Sequence, residues 1–305
     1  MLPSGQLIAV ERSAVGSVRP VDLAFFAPLP EHAQADAVEP LHLAMSSWSD
    51  DQAHGVAVAG LLGRAAETVV RRELGRPELV PTRVTVDLFA PTRMQPAWTT
   101  AEVVRESRRL MLVDVTLHQE SGPTARASTL WLRPSEDAPG DTWSNPDRPE
   151  PPPLNVAPVT DQPHVPFIHS DAGWSQDFRQ HQDGSRKTYW NTAPAIVLGE
   201  PVTPFQAVAA SADGTSLASN WGSAGVQHIN ADVTLTLARL PIGVTVGLRA
   251  LDRVEVDGVA VSSCTVFDRH GPLGTTVVTS MANTRRGIDM GGRRWEDDPR
   301  SEPGV

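Results

Sequence analysis

The 305-residue sequence predicts an α+β fold in which an antiparallel sheet wraps round a central helix, twice over in one chain. Three observations predict it. Each half of the chain holds one stretch with helical periodicity, each stretch is accompanied by short segments that alternate with a period of two, and a proline-rich stretch separates the halves. A lone helix must bury its apolar face, and an antiparallel sheet has one face to offer it.

The first helix is predicted within residues 56–74. Apolar side chains recur there at i, i+3 and i+4 spacing, which is typical of one buried helix face. Gly75 and Pro77 predict its end. The segments that follow are short, alternating and rich in β-branched residues, and they predict strands at 82–89, 98–105, 110–118 and 124–132.

The second half repeats this order. Residues 205–212 predict a helix, and residues 189–197 predict a strand ahead of it. Asp257-Gly258 and residues 268–271 supply turns between later strands. Those strands are predicted at 229–239, 243–250, 259–267 and 274–281.

Prolines mark the joint between the halves. Ten of the 33 residues from 134 to 166 are proline, and proline fixes φ and lacks an amide hydrogen, so an extended connector is expected there. The alternative is a disordered loop inserted into one domain. The predicted organisation is a first unit at 1–135, a linker at 136–165, a second unit at 166–285 and a flexible tail at 286–305.

Composition excludes several classes of protein. The net charge of −10 argues against a nucleic-acid-binding protein, whose affinity comes from a basic face. One cysteine, Cys264, excludes an internal disulfide and a cysteine-based zinc site. We find no apolar run long enough for a membrane span, no signal-peptide pattern and no nucleotide-binding or metal-binding motif. A cytoplasmic protein without a cofactor is therefore expected.

Short motifs follow one another in a recognisable order through roughly residues 20–285. In the first half they are Trp48 with 52–55, then 84–91 and 103–109, and in the second half they are Ala212-Asp213, 229–241, 257–260 and 268–274. In their order and spacing the sequence resembles the double-hotdog acyl-CoA thioesterases, meaning the thioesterase II family and its actinobacterial relatives. The resemblance implies a double-hotdog fold, with two sheets each wrapped round a helix in tandem.

The resemblance also implies a site in which an Asp, a Thr and a Gln orient water on a thioester carbonyl, while a helix N-terminus steadies the oxyanion. The Asp falls on Asp232, which is the expected catalytic base. The Thr falls at or near Asp252, a second carboxylate expected close to Asp232, and the Gln falls on Val278. Thr279 could replace the Gln only if the register shifts, which would turn it to the other sheet face.

Other polar residues are candidates for substrate binding. His54, next to Gly55 before the first helix, could polarise a carbonyl, contact a pantetheine arm, or only satisfy local amides. Asp213, near the end of the second helix, could bind substrate or act as a structural cap. His228 precedes the Asp232 strand and could line the same pocket.

The function that the resemblance implies is hydrolysis of an acyl thioester, carried by coenzyme A or a carrier protein, in lipid metabolism. The apparent replacement of the Thr and the Gln leaves two alternatives open. One is a hotdog protein that binds an acyl or polyketide-like ligand without hydrolysing it. The other is a biosynthetic enzyme that uses Asp232 and Asp252 as acid and base. Association into a homodimer is also expected.

Overall fold

A computed structural model describes residues 23–283 and 285–292 of the chain. It confirms an α+β fold with a large antiparallel sheet and few helices. The α-helices of the described residues are α1 (Gly55–Thr68), α2 (Pro204–Ala212) and α3 (Gly214–Asn220). A π-helical turn at Val69–Glu73 continues α1.

The described strands fall into two series on either side of the connector. They are β1 (Ala24–Pro28), β2 (Val38–Pro40), β3 (Val80–Leu88), β4 (Trp98–Glu106), β5 (Leu110–Gln119), β6 (Gly122–Leu132), β7 (Phe167–Ser170), β8 (Gly173–Ser175), β9 (Thr188–Thr192), β10 (Ala195–Val197), β11 (Trp221–Gly222), β12 (Gly225–Val226), β13 (His228–Asn230), β14 (Asp232–Leu237), β15 (Thr245–Val256), β16 (Val259–Asp268) and β17 (Gly271–Ala282).

Every predicted strand segment overlaps an observed strand, and both predicted helices are present. The differences lie where the local pattern is weak. Helix α3 was not predicted, because its sequence GTSLASN carries residues of low helix propensity, and it forms where it is buried against the sheet. Strands β1, β2, β7, β8, β11 and β12 were also missed, since each has five residues or fewer.

One continuous sheet runs through both halves of the chain. Its strands follow one another in the order β4-β5-β6-β3-β14-β17-β16-β15-β9-β7-β8, and β13 pairs with β17 beside this path. The halves meet where β3 pairs antiparallel with β14, with Thr85 opposite Thr234 and Asp87 opposite Asp232. Strand β1 adds a second link, because it pairs in parallel with β10.

Helices α1 and α2 pack on each other through small residues. A Cβ added at Gly60 would lie 3.1 Å from Cβ of Ala210, and one added at Gly63 would lie 2.9 Å from Cβ of Ala209. Side chains of this size let the two backbones approach closely. The helices run antiparallel, so the beginning of α1 lies beside the end of α2.

The end of α1 is tied to the segment that begins α2. Arg64 donates two hydrogen bonds to Glu200, of 2.7 and 2.6 Å. Glu67 accepts hydrogen bonds from the Thr203 hydroxyl at 2.7 Å and from the Gln206 amide at 3.0 Å. Since Thr203 is the N-cap of α2, Glu67 supports that helix start from across the pair.

The proline-rich connector lies on the second half. Residues 133–166 form no helix or strand. Arg269 donates to the carbonyl of Pro152 at 2.9 Å, and Arg249 donates to Asp147 at 2.8 Å, so the connector is held along its length. The limits assigned to the two units and the linker stay predictions from the sequence.

Part of the segment predicted as a flexible tail is anchored. Ile288 donates its backbone N–H to the carbonyl of Val226 at 2.9 Å, and Gly291 donates to the side chain of Gln182 at 2.6 Å. The backbone groups of these two residues thus find partners in the second half, and the flexibility of the segment stays a prediction from the sequence. Residues 293–305 lie outside the described residues.

The described part of the chain has no helix long and apolar enough to cross a membrane. Within residues 23–283 and 285–292 there is also no group of three or more His, Cys, Asp or Glu side chains placed to hold a metal ion.

Candidate active site

A cavity of about 710 Å³ lies between the two halves of the protein. This is within the size range of pockets that enclose small-molecule ligands. Both halves and the connector contribute to it, since the N-terminus of α1, the junction of α2 and α3 and residues 163–166 all line it. Its walls are mostly apolar, and the polar side chains along them include His54, Tyr189, Asn191, Thr192, Asp213 and Asn230.

Asp213 supplies the carboxylate among the described residues that line this cavity. It lies at the junction of α2 and α3, and the part of its side chain that stays accessible lines the cavity. Burial raises the pKa of Asp213, and a hydrogen bond of 2.9 Å from Nδ2 of Asn230 to its Oδ1 opposes that rise. A carboxylate whose pKa is raised by burial is a stronger base than one in water.

Gly55 brings the N-terminus of α1 against this carboxylate. A Cβ at position 55 would overlap both carboxylate oxygens of Asp213, so only glycine fits this approach. The first N–H groups of a helix have no partner inside it, and they carry the positive end of the helix dipole. Gly55 and Val56 both line the cavity, so their N–H groups lie where a developing negative charge could be stabilised.

His54 caps α1 and is committed to the backbone through both ring nitrogens. Its Nδ1 accepts from the N–H of Ala57 at 3.0 Å, and its Nε2 donates to the carbonyl of Leu43 at 3.0 Å. This arrangement matches the interpretation in which His54 satisfies local amides. It fixes the position of Gly55, the next residue along the chain.

Asn230 was not proposed as a site residue from the sequence. It ends β13, and its Nδ2 donates both to Asp213 and to the carbonyl of Asp232 at 3.2 Å. The sequence feature that could have indicated Asn230 is its position two residues before Asp232 in the predicted strand at 229–239. Spacing within one strand could not show that its side chain meets a carboxylate from a distant helix.

Asp232 is not among the described residues that line the cavity. It is the first residue of β14, and its Oδ1 accepts from the backbone N–H of Thr279 at 2.6 Å. Thr279 is exposed, and Asp87 lies opposite Asp232 in the sheet. The carboxylate therefore fastens β14 to β17.

Asp252 is far from Asp232, so the expectation that these two carboxylates lie close together is wrong. Strands β17 and β16 separate β14 from β15, and adjacent strands are about 4.8 Å apart. Asp252 follows a bulge in β15, is exposed, and accepts from the N–H of Arg253 at 2.8 Å. It lines a second cavity of about 510 Å³, to which the last residues of α3 also contribute.

His228 lines that second cavity too. It is buried, and its Nε2 lies 3.2 Å from Oε1 of Glu255. Val278 is fully buried in the core, opposite Ser262, and neither Val278 nor its exposed neighbour Thr279 lines the large cavity as described. The predicted candidates that the structure brings together are thus His54, Gly55 and Asp213.

The fold and the cavity define a hotdog-like protein, and comparison with known proteins gives the class. Residues 44–132 match the family model of the acyl-CoA thioesterase N-terminal domain. The resemblance predicted from the sequence is therefore confirmed. A search of curated proteins finds no match.

Solved structures show the same fold. The tesB protein of Mycobacterium avium subspecies paratuberculosis is 16% identical over 81% of this chain and 92% of its own, with a TM-score of 0.56. The acyl-CoA thioesterase II TesB2 of Mycobacterium marinum is 14% identical over 86% and 96%, with a TM-score of 0.54. A protein of unknown function with a hot dog fold from Alicyclobacillus acidocaldarius is 19% identical over 82% and 93%, with a TM-score of 0.58.

Proposed function

We propose that the protein hydrolyses acyl thioesters in the cavity between its halves, with Asp213 as the general base. The observation that carries this proposal is the contact of one ionisable carboxylate with a helix N-terminus inside a mostly apolar cavity. The acyl-CoA thioesterase model that matches residues 44–132 supports coenzyme A as the carrier. A carrier-protein thioester would present the same reacting group.

The reaction follows from the placement of these groups. Asp213 accepts a proton from a water molecule as the water oxygen attacks the thioester carbonyl carbon. The N–H groups of Gly55 and Val56 stabilise the oxyanion that forms. When the carbon–sulfur bond breaks, the protonated Asp213 returns its proton to the departing thiolate. The products are a carboxylic acid and a free thiol, and Asp213 is again ionised.

We also propose that the chain is a tandem of two hotdog units. Each half contributes one series of antiparallel strands and one helix segment, and the halves join through β3 and β14. Two units of this kind within one chain supply what two copies supply in a dimer, namely helices that face each other across a shared site. Further association into a homodimer stays a prediction from the sequence.

This proposal assigns the role of general base to Asp213 and not to Asp232. A general base must be within reach of the proton that it removes. Asp213 lines the cavity, whereas the Oδ1 of Asp232 accepts a hydrogen bond from the backbone N–H of Thr279.

The test is hydrolysis of a panel of saturated acyl-CoAs from short to long chains, followed by release of the free thiol. Asp213→Asn should lower kcat by about 100-fold or more, as expected for loss of a general base. Asp232→Asn is the matched control, and it should stay within about threefold because its carboxylate has a structural role.

Two outcomes contradict the proposal. If no acyl-CoA is hydrolysed but an uncleavable analogue binds saturably, the protein binds acyl thioesters without hydrolysing them. The buried Val278 favours that outcome, because the resemblance implies a Gln at this position. If Asp232→Asn abolishes turnover while Asp213→Asn does not, the base has been wrongly assigned.

A further inference from the structure

Strand β9 presents two polar side chains to the cavity. Tyr189 and Asn191 both line it, and their exposed fractions are 6% and 7%. The residue between them, Trp190, points to the other face of the strand, where its ring packs against Phe267 with centroids 5.5 Å apart. Tyr189 and Asn191 therefore share the inner face of β9, about 7 Å apart along the strand.

Neither side chain makes a hydrogen bond with another described residue. The neighbouring Thr192 shows the contrast, because its hydroxyl is 2.8 Å from that of Thr245 and 3.1 Å from Nε2 of His164. The buried side-chain atoms without a partner among the described residues do not include those of Tyr189 and Asn191, so the polar atoms of both stay accessible from the cavity. A ligand that covers this wall displaces water from them and must replace the hydrogen bonds that are lost.

Tyr189 also lies beside the proposed general base. A Cβ added at Gly214 would lie 3.5 Å from Cε1 of Tyr189, and Gly214 directly follows Asp213. Burial, and then the charge of Asp213, raise the pKa of Tyr189 above its ordinary value. The phenol therefore keeps its proton and offers a donor close to the reacting carbonyl.

We propose that Tyr189 and Asn191 recognise an oxygen substituent on the acyl chain, so that hydroxyacyl or oxoacyl thioesters are the preferred substrates. The Tyr189 hydroxyl can donate to either substituent, and the Asn191 amide can donate or accept. The substituent lies within the first few carbons of the chain, because Tyr189 is next to Asp213. This inference rests on the proposed function.

Selectivity arises because a substrate that leaves Tyr189 and Asn191 without hydrogen-bond partners binds more weakly. An acyl chain without the oxygen would cover both polar side chains with methylene groups and leave them without partners. A site built to hydrogen-bond a substrate hydroxyl discriminates strongly against the analogue that lacks it. A purely apolar cavity would instead show little preference between the two substrates.

Binding of two thioethers, S-hexyl-coenzyme A and S-(3-hydroxyhexyl)-coenzyme A, tests the inference by calorimetry. Neither can be hydrolysed, so the measurement does not depend on turnover. The hydroxylated compound should bind at least about tenfold more tightly, as expected for one satisfied buried hydrogen bond. Tyr189→Phe, which keeps the ring, and Asn191→Leu should each reduce that ratio, and Thr85→Val, at a residue outside the described cavity lining, should not.

Hydrolysis of hexanoyl-coenzyme A and 3-hydroxyhexanoyl-coenzyme A separates this inference from the proposed function. A preference in kcat/KM for the hydroxylated substrate that Tyr189→Phe removes supports both. Turnover without any preference overturns the inference alone. A preference between the thioethers without turnover supports the inference and overturns hydrolysis. Equal binding of the thioethers, or a ratio that both β9 variants leave unchanged, overturns the inference.

Discussion

Asp213 and Glu67 occupy matching places at opposite ends of the antiparallel helix pair. Asp213 ends α2 and lies against the first residue of α1, and Glu67, near the end of α1, lies against the N-cap of α2. Their surroundings differ. Glu67 accepts hydrogen bonds from Thr203 and Gln206. Asp213 accepts one from Asn230, its single side-chain hydrogen-bond partner in the described part of the chain, and lines the cavity.

This difference predicts opposite effects when each carboxylate is removed. Glu67→Ala should lower the free energy of unfolding by about 1–2 kcal/mol, because two hydrogen-bond donors at the start of α2 lose their acceptor, while turnover persists. Glu67→Gln keeps an acceptor oxygen and should recover most of that loss. Denaturant titration and thiol release measure the two effects, and loss of turnover in Glu67→Gln would contradict this division of roles.

Asp213→Asn should raise the stability of the protein at neutral pH. Burial places the pKa of Asp213 above its ordinary value, so the folded state favours the neutral form. The contribution of this group to stability is complete below the ordinary pKa of an aspartate and is lost as pH rises through the raised value. Thermal melting at neutral and acidic pH should show an advantage of Asp213→Asn that shrinks on acidification. An advantage that grows on acidification would contradict this sign.

The same pKa predicts how activity depends on pH. Since the base acts only when ionised, kcat should fall with decreasing pH, and the midpoint should lie above the ordinary pKa of an aspartate. Initial rates across the acidic range, with stability checked by circular dichroism at each pH, measure this midpoint. A rate that stays constant down to the ordinary aspartate pKa would exclude Asp213 as the base.

Gly55→Ala should lower kcat by about tenfold or more while the protein still folds, because the new methyl group displaces the Asp213 carboxylate and misplaced reacting groups lose rate steeply. Gly184→Ala is the control, since a Cβ there meets no atom within 4 Å. The pair is compared by thiol release and by thermal melting. Equal kcat in the two variants would show that the contact between position 55 and Asp213 does not matter for turnover.

Cys264 should be inert in the folded protein. It is fully buried, and burial raises the pKa of its thiol to about 12, against hydrogen bonds from Thr215 and Thr276 that lower it. Because the thiolate is the reactive form, iodoacetamide should label Cys264 only after unfolding in concentrated guanidinium chloride, and should leave hydrolysis unchanged. Mass spectrometry reads the label, and rapid labelling of the native protein would contradict this burial.

The sequence predicted the long elements well, because their periodicity reports directly on which face is buried. Residues 110–118 are rich in apolar and β-branched residues and form β5, along which burial alternates residue by residue. Residues 56–74 carry one apolar stripe and form α1 with its π-helical turn. Helix α3 escaped prediction, since its burial against the sheet outweighs its low propensity. Local pattern is sufficient only where it agrees with the tertiary environment.

The site was harder to predict, because it is assembled from both halves. Asp232 begins β14 and Asn230 ends β13, with a bend at Ala231 between them. The break in the strand disrupts the alternation of side chains, so spacing could not show which of the two meets Asp213. Asp252 looked close to Asp232 only because the order of strands in the sheet cannot be read from spacing. The contact between Gly55 and Asp213 joins residues 158 positions apart in the chain, and only the packing of α1 on α2 creates it.

The pairing of β3 with β14 also determines how the protein loses its structure. Five residue pairs join the two strands within the large sheet, and β1 is hydrogen-bonded to β10 in a separate small sheet. Neither half can melt without exposing the strand edge and the helix face of the other. Heat should therefore unfold the described chain in one cooperative transition, and the two similar halves should behave as a single folding unit.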